Sequence, residues 1–250
     1  MAICPEKREG YADGLPFAPT KVTDMKKLFL ANGIVNAICL ITLILLMGIQ
    51  LPAFGMWFYR WQYEANDTYA QVDMEPEDLH EVTRHMIRYM QGREPDLQIL
   101  TTVGGEERYF FSEIEIRHMV DVHDLFAVGM ILRNVLVVLF LLTLGLFLVR
   151  GRVWMRTLFR SWQIGAVAVL AGLGALVAAI AINWQHAFVV FHEIFFDNDY
   201  WILDVNVDLL VNIVPYPFFI AVSVFIGVFF AAGLGLLFLG STLALKRATI

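Results

Sequence analysis

The chain carries six histidines, His80, His85, His118, His123, His186 and His192, and their surroundings differ. His118 lies in FSEIEIRHMVDVHD, Phe111 to Asp124, where an acidic segment meets an apolar run. Ser112 and Glu115 have the spacing of a capping box and Phe111 can staple onto Ile116, so the spacing predicts a helix starting at Ser112. On that helix Ile114, His118, Val122 and Leu125 share one face, while His123 points away. Glu115 and Asp121 are the i−3 and i+3 neighbours of His118. Either acid can fix the imidazole tautomer and favour its charged form, which makes a stronger base suited to taking a proton from an amine or hydroxyl. His192 sits in FHEIFFDNDYWILD among Phe191, Phe195, Phe196, Tyr200 and Trp201. For both histidines the plainer alternative, a buried ring satisfied by a backbone carbonyl, stays open.

The other four histidines are less suited to chemistry. His80, His85 and His123 miss the apolar faces of their helices and read as solvated flanks, and His186 reads as an interfacial residue. A metal site needs three or four converging ligands, and the helical signature of two histidines four apart with a glutamate is missing. The pairs His80/His85 and His118/His123 are five apart, which separates their side chains on a helix. No metal and no cofactor is expected. Cys4 and Cys39 are the only cysteines, so neither a disulfide framework nor a thiolate site is on offer. No glycine-rich phosphate loop and no G-x-S-x-G elbow occurs. What remains is acid–base chemistry without an enzyme nucleophile.

The elements that must hold these residues are set by a composition of 58% hydrophobic residues. With a mean hydropathy of +0.64 this composition calls for a bilayer. A nucleic-acid partner is not expected, because the basic residues are few and do not interleave with aromatics. The predicted fold is an all-α polytopic membrane protein with four transmembrane helices and a small extracytoplasmic α+β cap. Residues 1–27, with Lys7 and Arg8, form a cytoplasmic tail, and 28–51 the first span. Residues 52–124 form the cap, which ends in the boundary helix. It holds fifteen acids against six arginines and no lysine, a balance that suits translocation. Within it an aromatic run at 57–63 reads as an interfacial belt, Pro76 opens a helix that ends near Gly92, and Gly104-Gly105 turns a hairpin. The second span is 125–149. Arg133 in its outer part is a functional candidate by default, since an intramembrane charge is costly unless it snorkels or is paired. A basic cytoplasmic loop, 150–162, is followed by a third span at 163–182, whose Gly and Ala permit close packing. An aromatic-acidic external segment fills 183–216, the fourth span is 217–245, and 246–250 is a cytoplasmic end.

EIRHMVDVHD leading into a span, and FHEIFFDNDYWILDVNVDLLVNIVP leading into another, resemble the bacterial membrane family of lipoprotein intramolecular transacylases, known as Lit. The likeness runs from the first span onwards. His123 stands where a basic residue is expected, and Val205 follows Asp204 where a proline is common. The resemblance implies a multi-pass protein of the bacterial plasma membrane with its site at the extracytoplasmic face. It implies transfer of the sn-2 acyl chain of a diacylglyceryl-cysteine lipoprotein to the α-amine of the same cysteine. It also implies that His118 and His192 are the two functional histidines. The expected division of labour makes His118 the general base, oriented by Glu115 or Asp121. His192 is a proton donor or oxyanion stabiliser, and Arg133 balances charge or snorkels. Phe191, Phe195, Phe196 and Trp201 line the acyl-chain groove. The partners are then the diacylated lipoprotein, its lipid chains and the bilayer, and the protein itself is expected to be a monomer. Two rivals differ in class: a non-enzymatic membrane sensor or assembly subunit with a partner-binding cap, and a metal-dependent membrane hydrolase.

Overall fold

The computed structural model describes residues 19–247. The expected tail residues 1–18 and the end residues 248–250 lie outside the described residues. The chain runs as α1 (Pro19–Phe54), α2 (Met56–Ala65), α3 (Thr68–Gln71), α4 (Pro76–Met90), β1 (Leu100–Val103), β2 (Glu106–Tyr109), α5 (Glu113–Arg150), α6 (Arg152–Ile182), α7 (Trp184–Phe195), α8 (Leu210–Ile213) and α9 (Tyr216–Arg247). Among the described residues, three helices are long and apolar enough to cross a membrane: α1 from Thr23, α5 and α9. The 31-residue α6 packs chiefly against α1 and α9, so the protein is a helical membrane protein built on these long helices.

Small and polar residues hold the long helices together. A Cβ on Gly165 of α6 would meet Ile41 of α1 at 2.9 Å, and one on Gly233 of α9 would meet Ile44 at 2.6 Å, so these crossings are close because the residues are glycine. The fully buried Asn36 of α1 donates from Nδ2 to Thr143 Oγ1 (2.8 Å) on α5 and accepts from Trp162 Nε1 (2.9 Å) on α6. One side chain thereby joins three helices where no water can substitute.

Two expectations about the connections are corrected. Residues 150–162, expected as a loop, are helical apart from Gly151, which joins α5 to α6 with φ +84° and ψ −177°. Only glycine adopts that backbone readily, so the chain reverses within one residue and its four arginines sit on helices. Residues 184–195, expected as part of an irregular external segment, form α7. Asn183 caps it, its side chain accepting from His186 N at 3.0 Å.

The cap folds on one end of the long helices. Pro76 opens α4, and Gly104 and Gly105, both at positive φ, turn the hairpin with Leu100 opposite Tyr109 and Val103 opposite Glu106. Gly104 N donates to Asp73 O (2.9 Å), which pins the turn to the α3–α4 connection. The aromatic run expected as a belt divides in two. Trp57 and Trp61 stay exposed, whereas Phe58, Tyr59 and Tyr63 enter the cap core with Leu79, Val82, Met86, Leu97 and Phe110. That core also includes Met119 of α5 and Phe218 of α9. A cap of this size therefore borrows apolar surface from the spans it stands on.

Candidate functional site

The start of α5 is fixed from two sides. Ser112 is the N-cap and the capping box is complete, with Glu115 N donating to Ser112 Oγ and Ser112 N donating to Glu115 Oε2. Glu115 is 1% exposed, and its other oxygen accepts from Leu210 N at 2.5 Å, 95 residues away. Ser112 Oγ in turn donates to Asp208 Oδ1 (2.9 Å), while Asp208 Oδ2 accepts from Asp204 N (2.8 Å). The first turn of α5 is thus stitched to the segment that precedes α9. Burial raises the carboxyl of Glu115 above its usual range, against the lowering effect of these hydrogen bonds.

Over its next two turns α5 shows two faces. Met119 and Glu115 turn to the cap core, while His118 and Asp121 turn to α7 and the loop after it. At 38 residues α5 is about 57 Å long, well beyond a bilayer's hydrocarbon. Its polar stretch Glu113 to Asp124 precedes the apolar run that begins at Leu125 and stands outside the spanning part.

The two histidines come together. The rings of His118 and His192 have centroids 6.1 Å apart, and Phe196 packs against both, at 5.4 Å and 5.6 Å. His192 is buried in an aromatic box. Trp201 stacks on it at 4.7 Å and 27°, with Phe188 at 4.2 Å and Phe191 at 5.4 Å. Its Nδ1 lies 2.8 Å from Phe188 O, one helical turn back. A carbonyl only accepts, so this contact assigns the proton to Nδ1 and leaves the Nε2 lone pair open. His118 is the opposite case: its Nδ1 is buried and has no partner among the described residues. Buried N–H donors without acceptors are rarer than lone pairs without donors, which puts the proton of this neutral ring on Nε2.

Both rings are held neutral. Burial first, and His192 beside it second, outweigh the opposing pull of Asp121 and together hold His118 down to about 4. Burial also lowers His192, against the pull of the Phe188 carbonyl. The expectation that flanking acids would strengthen His118 as a base is corrected here, because desolvation outweighs the nearby charge. Glu115 points to Leu210, and Asp121 Oδ2 accepts from Asn198 Nδ2 (2.9 Å), so both acids spend their hydrogen bonds on tying segments together.

Beside the pair lies an open cavity of about 450 Å³, walled by Phe196 and Trp201 with Val189 and Ile202, and lined by Glu193, Asp197, Asn198 and Asp199. Phe191 and Phe195 are about half exposed on the outer face of α7, with Ile194 beside them. Arg133 is not part of this constellation: its guanidinium donates to Gln50 Oε1 (2.7 Å) on α1 and to Asn134 Oδ1. The remaining histidines are also elsewhere. His80 bonds Tyr69 Oη (2.8 Å), His85 lies 3.1 Å from Asp96 O, and His123 pairs with Asp124. Among the described residues no group of three or more His, Cys, Asp or Glu side chains is placed to hold a metal ion.

Sequence reasoning missed Phe188, Asn198 and Asp208. The helical phase of residues 184–195 places the Phe188 carbonyl under His192 at i−4, and that signal was available. The roles of Asn198 and Asp208 depend on partners 77 and 96 residues away and had no local signal.

A family model described as lipoprotein intramolecular transacylase Lit matches residues 34–219. Among curated proteins, none matches the chain. The fold is that of the membrane integral lipoprotein intramolecular transacylase Lit from Bacillus cereus. An in meso structure of a histidine-to-arginine variant superposes with a TM-score of 0.73 at 19% identity, covering 91% of this chain and 96% of that one. A second Bacillus cereus structure gives a TM-score of 0.68, also at 19% identity, covering 91% of this chain and all of the other.

Proposed function

The chain belongs to the Lit family of lipoprotein intramolecular transacylases, and from that premise we propose that His118 and His192 together move an acyl chain from oxygen to nitrogen within one lipoprotein molecule. The protein is a membrane enzyme acting on lipoproteins. The substrate in this proposal is a diacylglyceryl-modified amino-terminal cysteine, and the product is its N-acyl, lyso form. The observation that carries the reading is the pair of imidazoles 6.1 Å apart, with His192 held through its Nδ1 by the Phe188 carbonyl so that its Nε2 carries the lone pair.

Amine and ester are already in one molecule, so the enzyme supplies geometry, a proton acceptor and an anion stabiliser. Holding the two in attack range is worth up to about 7–11 kcal/mol in ideal cases. The α-amine has a reference pKa of about 7.7–8.0 and must lose a proton to attack. Sequence spacing gave that task to His118; the hydrogen bonding favours His192, whose lone pair on Nε2 is set by the Phe188 carbonyl. The amine nitrogen bonds to the ester carbonyl carbon, and the oxyanion accepts from Nε2–H of His118. When the intermediate collapses, the carbon–oxygen ester bond breaks. The proton held on His192 then passes to the departing glycerol oxygen. The nitrogen sheds a second proton to solvent as the amide forms, so one ammonium ester gives one amide, one free hydroxyl and one released proton, and no second substrate is consumed.

In this reading Trp201 and Phe196 hold the rings, and the exposed Phe191 and Phe195 receive the acyl chain with the surrounding lipid. Glu115 and Asp121 position α5 against the segments around His192. Arg133 keeps α1 and α5 in register through Gln50. The proposed topology has four spans, α6 crossing with α1, α5 and α9, and both ends in the cytoplasm. The histidines then face outward from the bacterial plasma membrane, and the protein works as a monomer. Incubating purified protein with a diacylated lipopeptide should yield the N-acyl lyso peptide by mass spectrometry. His118→Ala and His192→Ala, still folded in the membrane, should each yield it at least about 100-fold more slowly; undiminished turnover by both variants would remove the histidines from the mechanism.

A further inference from the structure

The turn that follows α7 is gripped from α5 through one side chain. Asn198 Oδ1 accepts from Tyr200 N at 3.0 Å, and its Nδ2 donates to Asp121 Oδ2 at 2.9 Å. A backbone N–H only donates and a carboxylate only accepts, so the two partners fix which way the amide faces. Arg117 adds a second contact from α5, its guanidinium lying 5.7 Å from the centre of the Tyr200 ring. Asp121 comes three residues after His118, and Arg117 is the residue before it. Directly after Tyr200 comes Trp201, whose indole stacks on His192 at 4.7 Å and 27°. A closed circuit results. It runs from His118 along α5 to Asp121, across to Asn198, along the turn to Trp201 and onto His192, whose ring lies 6.1 Å from that of His118. Asparagine suits both of its bonds at once. Serine can hold Tyr200 N but has no amide to reach Asp121, and aspartate would set a second carboxylate against it.

We infer that Asn198 is a positioning residue for the acyl transfer: its bond to Asp121 holds the turn so that Trp201 stays on His192 and the two imidazoles keep their spacing. The inference rests on the histidine-pair reading of the function. Asn198 acts through the indole and through α5, not on the reacting atoms. Loss of the bond frees the turn to shift, and a displacement of about 1 Å at the rings is enough to cost about 10²-fold in rate. Asn198 also lines the open cavity beside the pair, so its effect on ring placement is told from an effect on substrate binding by kcat against KM.

Variants of the full chain in detergent test this, with kcat and KM measured on a diacylated lipopeptide and the His192 ring-proton shifts read by NMR. Asn198→Asp keeps the acceptor for Tyr200 N but sets two carboxylates face to face. Its kcat should fall about 10–100-fold, with KM within about twofold of wild type. The upfield shift that the Trp201 ring current gives the His192 ring protons should shrink. Asn198→Ser keeps an acceptor, adds no charge and cannot reach Asp121; it should lose kcat in the same way, which separates loss of the bond from a charge-driven failure to fold. Asn198→Asp with Asp121→Asn exchanges donor and acceptor across the same gap. This swap should recover the shifts, and kcat to within about threefold of wild type. A swap no better than Asn198→Asp, wild-type kcat and shifts in both single variants, or a loss carried by KM alone would overturn the positioning role. Wild type that converts no lipopeptide would instead contradict the acyl-transfer reading, and the shifts would then decide whether Asn198 holds the rings.

Discussion

His118 and His192 are the same residue type in rings that nearly touch, yet the protein treats them in opposite ways. His192 sits one turn from the end of a short helix, donates backward to that helix, and is stacked on Trp201. His118 sits in the second turn of a 38-residue helix with a buried nitrogen that has no partner among the described residues. The first ring has a fixed tautomer and a supporting carbonyl; the second has burial that the nearby Asp121 offsets only in part, and is pushed down to about 4. The difference teaches that acid–base roles in a pair of like residues follow from the second hydrogen bond of each ring, and much less from acids close by in sequence.

The comparison can be broken most severely at the rings themselves. His192→Ala removes the proton acceptor and should cost about 10²–10⁴-fold in turnover. His118→Ala removes one oxyanion donor and should cost about 10²–10³-fold. Lipopeptide turnover checks the order, and a larger loss at His118 would reverse the assigned roles. The next effect is on the frame. Glu115→Leu strands the N–H groups of Ser112 and Leu210, each worth about 1–3 kcal/mol when buried unpaired, so thermal unfolding should shift down sharply. Glu115→Gln keeps an acceptor and should lose much less. Equal stability of the two variants would show that the buried carboxylate does not join the segments.

Acid should sharpen the comparison further. Both histidines have folded-state values below the unfolded one, so the unfolded chain binds protons first as pH falls. Their contribution to stability is full above about 6.5 and is lost as pH falls from there towards 4, where His118 itself titrates in the folded protein. Unfolding midpoints between pH 7 and 4 should show this slope, and His118→Gln should flatten it more than His192→Gln. The smallest effect belongs to Arg133→Gln. It cuts the bond to Gln50 on α1 and should cost under about 1 kcal/mol with turnover nearly unchanged. A loss of turnover comparable to that of either histidine variant would bring Arg133 into the site.

Local chemistry made much of this molecule legible from its residues. The capping box at Ser112 and Glu115, Pro76 at the start of α4 and the Gly104-Gly105 hairpin each depend on neighbours within a few positions. The setting of the two histidines among aromatics drew attention to them, but it left the plain buried-ring reading open, and the family resemblance singled them out. What stayed hidden depends on distance and burial. The bond from Leu210 to Glu115 spans 95 residues, so Glu115 looked like a partner of His118 when it belonged to another segment. The sign of the His118 shift was misjudged because the pull of a charge at i+3 can be read from spacing, whereas loss of water cannot. Residues 150–162 looked like a loop because four arginines suggested one, but a single glycine makes the turn.

The most direct test of the division of labour is ¹⁵N NMR of the imidazoles in detergent-solubilised protein, titrated from pH 8 to pH 4. The account predicts His192 as the Nδ1–H tautomer with a lone pair on Nε2, and His118 as the Nε2–H tautomer titrating at the lower pH of the two. Finding His192 protonated on Nε2, or His118 gaining its proton first, would contradict it.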